Sequence, residues 1–287
     1  MKYKEPSIHD IIEQELITTL YQPIISLING EIIGYEALSR GPKDTALYSP
    51  VALIQEAEEV NSIWELEMIF RKRAIEKAIH IPSSKLLFIN VDPNIMLDVN
   101  YEKGMTKAYL EKYKINVRDI VFEITERSAI EDYPSFKKII NHYRSQEYNI
   151  AIDDVGSGYS GLKSITELQP NYVNIDMDLI RDIDTDVFKK TIIKGLVSVA
   201  KDTGLQLIAE GVETHAELRT VIELGVHNAQ GYLLHRPSEE VTHELPDVRN
   251  MILRIKREAI GAFSYDNALS LIHISEPTRQ DTRSRMP

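Results

Sequence analysis

The chain has 287 residues, no cysteine and a formal net charge of −11 at pH 7. That composition excludes disulfides, thiolate metal sites and a cysteine nucleophile, and a negative surface disfavours duplex nucleic acid as a partner. No apolar run reaches membrane-spanning length and "MKYKEPSIHD" lacks the apolar core of a signal peptide, so a cytoplasmic address without a membrane segment is expected.

Helix-like and strand-like segments alternate along the chain. "SIHDIIEQE" predicts a short amphipathic helix with Ser7 as its N-cap. "LYQPIISL" and "EIIGYEALSR" predict two strands; Asn29-Gly30 between them is a hairpin signal, which makes the pair antiparallel. "PVALIQEAEEV" and "SIWELEMIFRKRAIEKAIHI" carry apolar residues at helical spacing. Next come the strand "KLLFINVDP", the helix "KAYLEKY", the strand "DIVFEITE" and the helix "YPSFKKIINHYRSQ". "NIAIDDVGSG" is a strand ending in a glycine-rich turn, "GLKSITELQ" a helix and "YVNIDMDLI" a strand. "DVFKKTIIKGLVSVAKDTG" is a long helix closed by Gly204. The strand "LQLIAEGV", the helix "THAELRTVIELG", the strand "NAQGYLLH" and the helix "VRNMILRIKREAI" complete the pattern.

The strands are short and rich in Ile, Val and Leu, as parallel strands buried on both faces are. Roughly eight strands separated by helices predict an α/β fold, a (β/α)8 barrel, with a doubly wound open sheet as the alternative. No linker divides residues 1–260, which form one barrel. Residues 265–287 are expected to be an unstructured tail. The run "SLIHISEPTRQDTRSRMP" resembles translated sequencing-adapter sequence, a non-native artefact, in which case the natural protein continues differently.

Oxygen-bearing side chains stand at the C-terminal ends of these strands: Glu36, Asn90, Glu123 with Glu126, Asp153 with Asp154, Asn174 with Asp176, Glu210 with Glu213, and Gln230. In a barrel those ends converge on one face, where active sites are built. Any one of them alone reads as a helix cap, a turn former or a solvated charge. Five or more on one face repel and desolvate badly unless a cation holds them. Oxygen ligands without cysteine or a matching histidine set select hard ions, Mg2+ or Mn2+, over zinc. A pair of such ions on an acidic protein points to phosphate-ester chemistry. A two-carboxylate glycosidase in a similar barrel is the alternative, but it leaves Asn90 and the adjacent aspartates unexplained.

With these motifs in this order, from "YQPI" and "GYEALSR" through "DDVGSG", "IAEGVE" and "AQGY", the chain resembles the EAL-domain cyclic-di-GMP phosphodiesterases, over about residues 15 to 245. The family takes its name from the tripeptide present here as Glu36-Ala37-Leu38. The resemblance implies a TIM-like barrel with its first strand antiparallel, and hydrolysis of cyclic di-GMP to linear pGpG with two Mg2+ or Mn2+ ions. Glu36, Asn90, Glu123 and Asp153 match metal ligands, and Asp154 matches a ligand of the second ion. Glu210 matches an essential glutamate near the attacking water, and Gln230 a glutamine that orders water and substrate. Gln22, Leu38, Arg40 and Asp176 match substrate-binding positions; a guanidinium beside a phosphate is chemically sensible. Glu126 and Glu213 match glutamates that hold the "DDVGSG" loop, which in the family also helps form a homodimer.

One position departs from the family. Its "KID" motif begins with a lysine close to the catalytic water, and here reads Asn174-Ile175-Asp176. Asparagine donates a hydrogen bond but brings no positive charge. Losing one such donor typically costs about 3–4 kcal/mol, or roughly 10²–10³ in rate. The expected function is therefore hydrolysis of cyclic di-GMP, with a catalytically weakened cyclic-di-GMP receptor as the alternative.

Overall fold

The computed structural model describes residues 5–92, 104–125, 133–156 and 161–273. Its strands are β1 (Thr18–Ser26), β2 (Ile32–Arg40), β3 (Leu86–Asn90), β4 (Ile120–Thr125), β5 (Asn149–Val155), β6 (Tyr172–Ile175), β7 (Gln206–Ala209) and β8 (Asn228–Ala229). They close into a barrel in that order. β1 runs antiparallel to both neighbours, β2 and β8, while the neighbouring pairs from β2 to β8 are parallel. The hairpin expected from Asn29-Gly30 is present, with Gly30 at φ +73°, a conformation that side chains rarely adopt.

Period-two alternation divides the strands between two cores. Residues facing outward, such as Leu87, Ile89, Phe122, Ile124, Ile150, Ile152, Val173 and Leu207, join the large layer between strands and helices. Ile24, Phe88, Val121, Ala151 and Ile208 form a separate buried plug. Two residues beyond these five, or two before in the antiparallel β1, stand Gln22, Asn90, Glu123, Asp153 and Glu210. The plug is the apolar floor, and the polar residues are the next layer up on the same face of each strand.

The helices begin and end for local reasons. Ser7 and Thr214 each cap a helix through a reciprocal capping box, with Asp10 and Glu217 as partners. Gly204 closes the helix Val187–Thr203 in the left-handed conformation.

Three segments differ from the sequence reading. "YVNIDMDLI" is a strand only to Ile175; the Asp176 side chain accepts from the Asp178 N–H at 2.7 Å and starts a helical turn, Met177–Ile180. "NAQGYLLH" is a strand only at Asn228–Ala229, because the N–H groups of Leu234 and His235 turn back to the Gly231 carbonyl, each at 3.0 Å. The last helix runs from Pro246 to His273, so residues 265–273 are helical where an unstructured tail was expected. No proline interrupts that stretch to stop the backbone ladder. Residues 274–287 lie outside the described residues.

Candidate active site

Glu36 lies opposite Gln22 in the antiparallel register of β1 and β2, and Asn90 lies beside Glu123 in that of β3 and β4. Glu36 Oε1 accepts from Asn90 Nδ2 at 2.8 Å, and Oε2 accepts from Gln230 Nε2 at 2.7 Å. The same Gln230 amide donates to Gln22 Oε1 at 2.8 Å, and Gln22 Nε2 donates to the His235 carbonyl at 2.9 Å. A chain of amides therefore stitches β8, β1 and β2 together across the seam of the barrel.

Asp153 and Asp154 are consecutive, so a regular strand would send them to opposite faces. The β5–β6 register shifts between Ile152 and Val155, and Asp154 has φ +58°. This bulge re-aims the second carboxylate. As a result Asp153, Asp154 and Glu210 each offer an oxygen within 4.8 Å of the others.

Asn174 Nδ2 donates to Glu123 Oε1 at 2.7 Å and to Asp153 Oδ1 at 3.0 Å. Glu123 and Asn174 are each 2% exposed. Glu123 Oε2 and Asn174 Oδ1, both buried, have no hydrogen-bond partner among the described residues.

The carboxyls are electrostatically strained. Burial is the largest cause in all four shifts. It raises Glu36 above the usual carboxylate range, against the opposing Gln230 and Asn90 hydrogen bonds and the Arg40 charge. Glu123 and Glu210 are pushed well above that range, by burial and then by neighbouring carboxylates. Asp153 rises to about 6, by burial and then the Glu36 charge. A cluster that resists ionising yet leaves buried oxygens unpaired fits a bound divalent cation, which supplies positive charge and fills empty lone pairs. Glu36, Asn90, Glu123, Asp153, Asp154 and Glu210 are oxygen donors suited to a hard ion.

Leu38 and Arg40 line a cavity of about 380 Å3 beside the cluster, shared with Asn90 and Glu123. Arg40 NH1 donates to the Ser39 carbonyl at 2.7 Å. Asp176 caps its helical turn and lies close enough to Asp153 to raise it further. Glu213 pairs with Arg181 at 3.1 Å. Glu126 lies outside the described residues.

The same cavity is lined by Glu67 and Asp92, which sequence reasoning did not single out. Burial pushes the Glu67 carboxyl up to about 7, against the Arg71 charge. The available signal was a glutamate inside the apolar run "LEMIF" of the helix Ile63–Lys77.

Fold and site together define a TIM-like barrel whose mouth is lined by carboxylates. The EAL-domain family model matches residues 7–237, and the chain belongs to that family. It is 29% identical over 239 residues to a probable cyclic di-GMP phosphodiesterase of Escherichia coli, covering 81% of this chain and 45% of that protein. It is 29% identical over 225 residues to a cyclic di-GMP phosphodiesterase of Pseudomonas aeruginosa, covering 76% and 38%. The chain thus spans under half the length of these relatives. Among solved structures, a standalone EAL protein of Vibrio cholerae in its cyclic-di-GMP-bound form superposes with a TM-score of 0.71 at 34% identity, covering 81% of this chain and 97% of that one. A Klebsiella pneumoniae protein in complex with manganese and cyclic di-GMP gives 0.71 at 28%, covering 78% and 56%. Among the described residues no helix is long and apolar enough to cross a membrane.

Proposed function

We propose that the chain is a Mg2+- or Mn2+-dependent phosphodiesterase that opens cyclic di-GMP to linear pGpG in the cytoplasm. The observation that carries this reading is the half-buried carboxylate cluster at the barrel mouth around the buried Glu123, whose Oε2 has no partner among the described residues, in a member of a family whose relatives carry that activity in their names. Glu36, Asn90, Glu123, Asp153 and Asp154 would hold two divalent ions. Such ions, when bound, acidify the attacking water and stabilise negative charge on the phosphoryl oxygens.

The rest is done by the chain's own groups. Glu210, half-buried among carboxylates that raise its proton affinity, would accept the proton of the attacking water once the cluster's charge is balanced. Arg40, at the rim of the cavity with Leu38, offers its guanidinium to the substrate phosphate. Gln22 and Gln230 share one hydrogen bond and orient substrate and water beside Glu36. Asp176 fixes the turn that comes after Asn174 and would contribute to substrate binding from there.

Asn174 favours a second reading, a cyclic-di-GMP receptor with weakened catalysis. Its amide is committed to Glu123 and Asp153 and carries no charge toward the phosphate. Hydrolysis of cyclic di-GMP with Mn2+, with and without EDTA, beside binding in Ca2+, separates the two. Turnover abolished by EDTA supports the enzyme; tight binding without turnover supports the receptor; neither refutes both.

A homodimer belongs to the same proposal. Phe188, Ile192 and Val199 lie on one face of the helix Val187–Thr203 and are exposed, Phe188 by 83%. An apolar stripe of this kind marks an interaction surface.

A further inference from the structure

Two of the three clustered carboxylates, Asp153 and Asp154, come from the end of β5, and the third, Glu210, comes just after β7. β6 stands between them in the barrel. The gap across which a cation would be held is therefore set by the short stretch that the chain builds after β6, Asp176 to Asp182.

That stretch is fastened on every side. Toward β5, the Asp176 N–H donates to the Val155 carbonyl at 3.2 Å, and Leu179 packs on Gly156 so closely that a Cβ there would lie 2.2 Å from Leu179 Cδ1. Toward β7, the Glu210 N–H donates to the Ile175 carbonyl at 3.1 Å, and a Cβ on Gly211 would lie 2.5 Å from Met177 Cβ. Toward the helix Val187–Thr203, Lys189 Nζ donates to the carbonyls of Asp178 and Arg181 at 2.6 and 2.7 Å.

The strongest fastening runs through Arg181. Its NH2 lies 3.1 Å from Glu213 Oε1 and its NH1 3.4 Å from Glu217 Oε1. Glu217 Oε1 also accepts from the Asp182 N–H at 3.2 Å, while Oε2 accepts from the N–H groups of Glu213 and Thr214, each at 2.9 Å. An ordinary capping glutamate closes only its own helix. This one is 1% exposed in its side chain and commits one oxygen to the segment after β6 and the other to the loop that carries Glu210.

We propose that Asp176 to Asp182 is a spacer that sets the separation between Asp153 and Asp154 on one side and Glu210 on the other, and that Arg181 is its positioning residue, acting on divalent-cation affinity through Glu213 and Glu217. The inference rests on the cation-dependent reading of the site. Outer partners that orient ligands typically alter metal affinity about 10- to 100-fold when removed.

The test is Mn2+ titration calorimetry on the full chain, with the fraction of folded protein measured in EDTA for each variant. Arg181→Met is expected to weaken Mn2+ binding per folded molecule about 10-fold or more, and Arg181→Lys to recover part of it. Arg118→Met, in the exposed Arg118–Glu147 pair, is expected to leave the affinity unchanged. Should Arg181→Met fail to fold, Glu213→Gln removes only the exposed arm of the clamp and is expected to weaken binding in the same direction. Wild-type affinity in the folded fraction of Arg181→Met or, in its place, Glu213→Gln overturns the inference while leaving the cation reading intact. A wild-type chain that takes up no Mn2+ overturns the cation reading itself, and the spacer's role with it.

Discussion

Asn174 Nδ2 donates to Glu123 Oε1 at 2.7 Å, reaching from β6 past β5 to β4. A neutral amide thus occupies the place where an ammonium would meet two carboxylates. Asn174→Lys is expected to raise kcat for cyclic di-GMP by roughly 10²–10³, about 3–4 kcal/mol of transition-state stabilisation, with little change in KM. Steady-state kinetics in Mn2+ checks it. An unchanged kcat would show that the chain has no need of a charge at this position.

Glu123 is buried with one oxygen unpaired among the described residues, and its ionisation is opposed by burial and by Glu36 and Asp153. Glu123→Gln removes that burden. In EDTA at pH 7.5 the variant is expected to be more stable than the wild type by about 1–2 kcal/mol, because functional sites commonly hold such unfavourable charge. Thermal denaturation reads this as a rise in Tm. Added Mn2+ is expected to stabilise the wild type and leave the variant unmoved.

Glu67 carries a pH dependence whose sign is set by its raised pKa, about 7 in the fold against 4.5 for an unperturbed glutamate. Between those values the folded chain holds a proton that the unfolded chain has released. Stability from this group is therefore complete below about pH 4.5 and lost as pH rises to 7, by about 3 kcal/mol in total. Glu67→Gln is expected to match the wild type near pH 4.5 and to exceed it progressively toward pH 7.5. Denaturant melts at three pH values suffice, and parallel curves would refute the assignment.

Gly231 comes just after β8 with the Val212 backbone directly against it; a Cβ would lie 2.1 Å from the Val212 oxygen and 2.3 Å from its nitrogen. Gly231→Ala forces apart the segments that carry Gln230 and Glu210. Overpacking of this kind costs about 1–3 kcal/mol, and activity is expected to fall more than stability does. Paired measurement of kcat and Tm decides it.

Phe188→Glu places a charge in the exposed apolar stripe of the helix Val187–Thr203. Analytical ultracentrifugation is expected to show the wild type as a dimer and the variant as a monomer. Identical sedimentation of the two would remove this face as the contact.

The barrel and most of its mouth were legible in the sequence because burial on both faces leaves a plain mark. Apolar strands such as "LLFIN" and "IVFEIT" end on Asn90 and Glu123 in the same phase as the buried Phe88 and Val121. The turn after β6 was not legible. Met177, Leu179 and Ile180 prolong the apolar look of a strand, and only the Asp176 cap, a side-chain event, turns them into a helical turn. The shortness of β8 was hidden for a similar reason: "YLLH" has strand composition, but the Leu234 and His235 N–H groups turn back to the carbonyl of Gly231, and the close packing of Gly231 on the Val212 backbone is a tertiary fact. The seam between Gln22 and Gln230 could not be read either, since no spacing rule connects residues 208 positions apart.

That seam bears on how the molecule comes into being. β1 is made before the other strands of the barrel, yet its outer edge is paired by β8 and, at Tyr21, by Ser238, both late in the chain. While the ribosome is still adding the intervening chain, β1 and β2 form a hairpin with one raw flank, of the kind that recruits strands from other molecules. Gln22 and Glu36 meet within that hairpin early, but Gln230 joins them only when nearly the whole domain has emerged. The mouth is therefore completed in one late step, and a nascent barrel cut short before Asn228 has seven of its eight strands but lacks the Gln230 amide that joins Gln22 to Glu36.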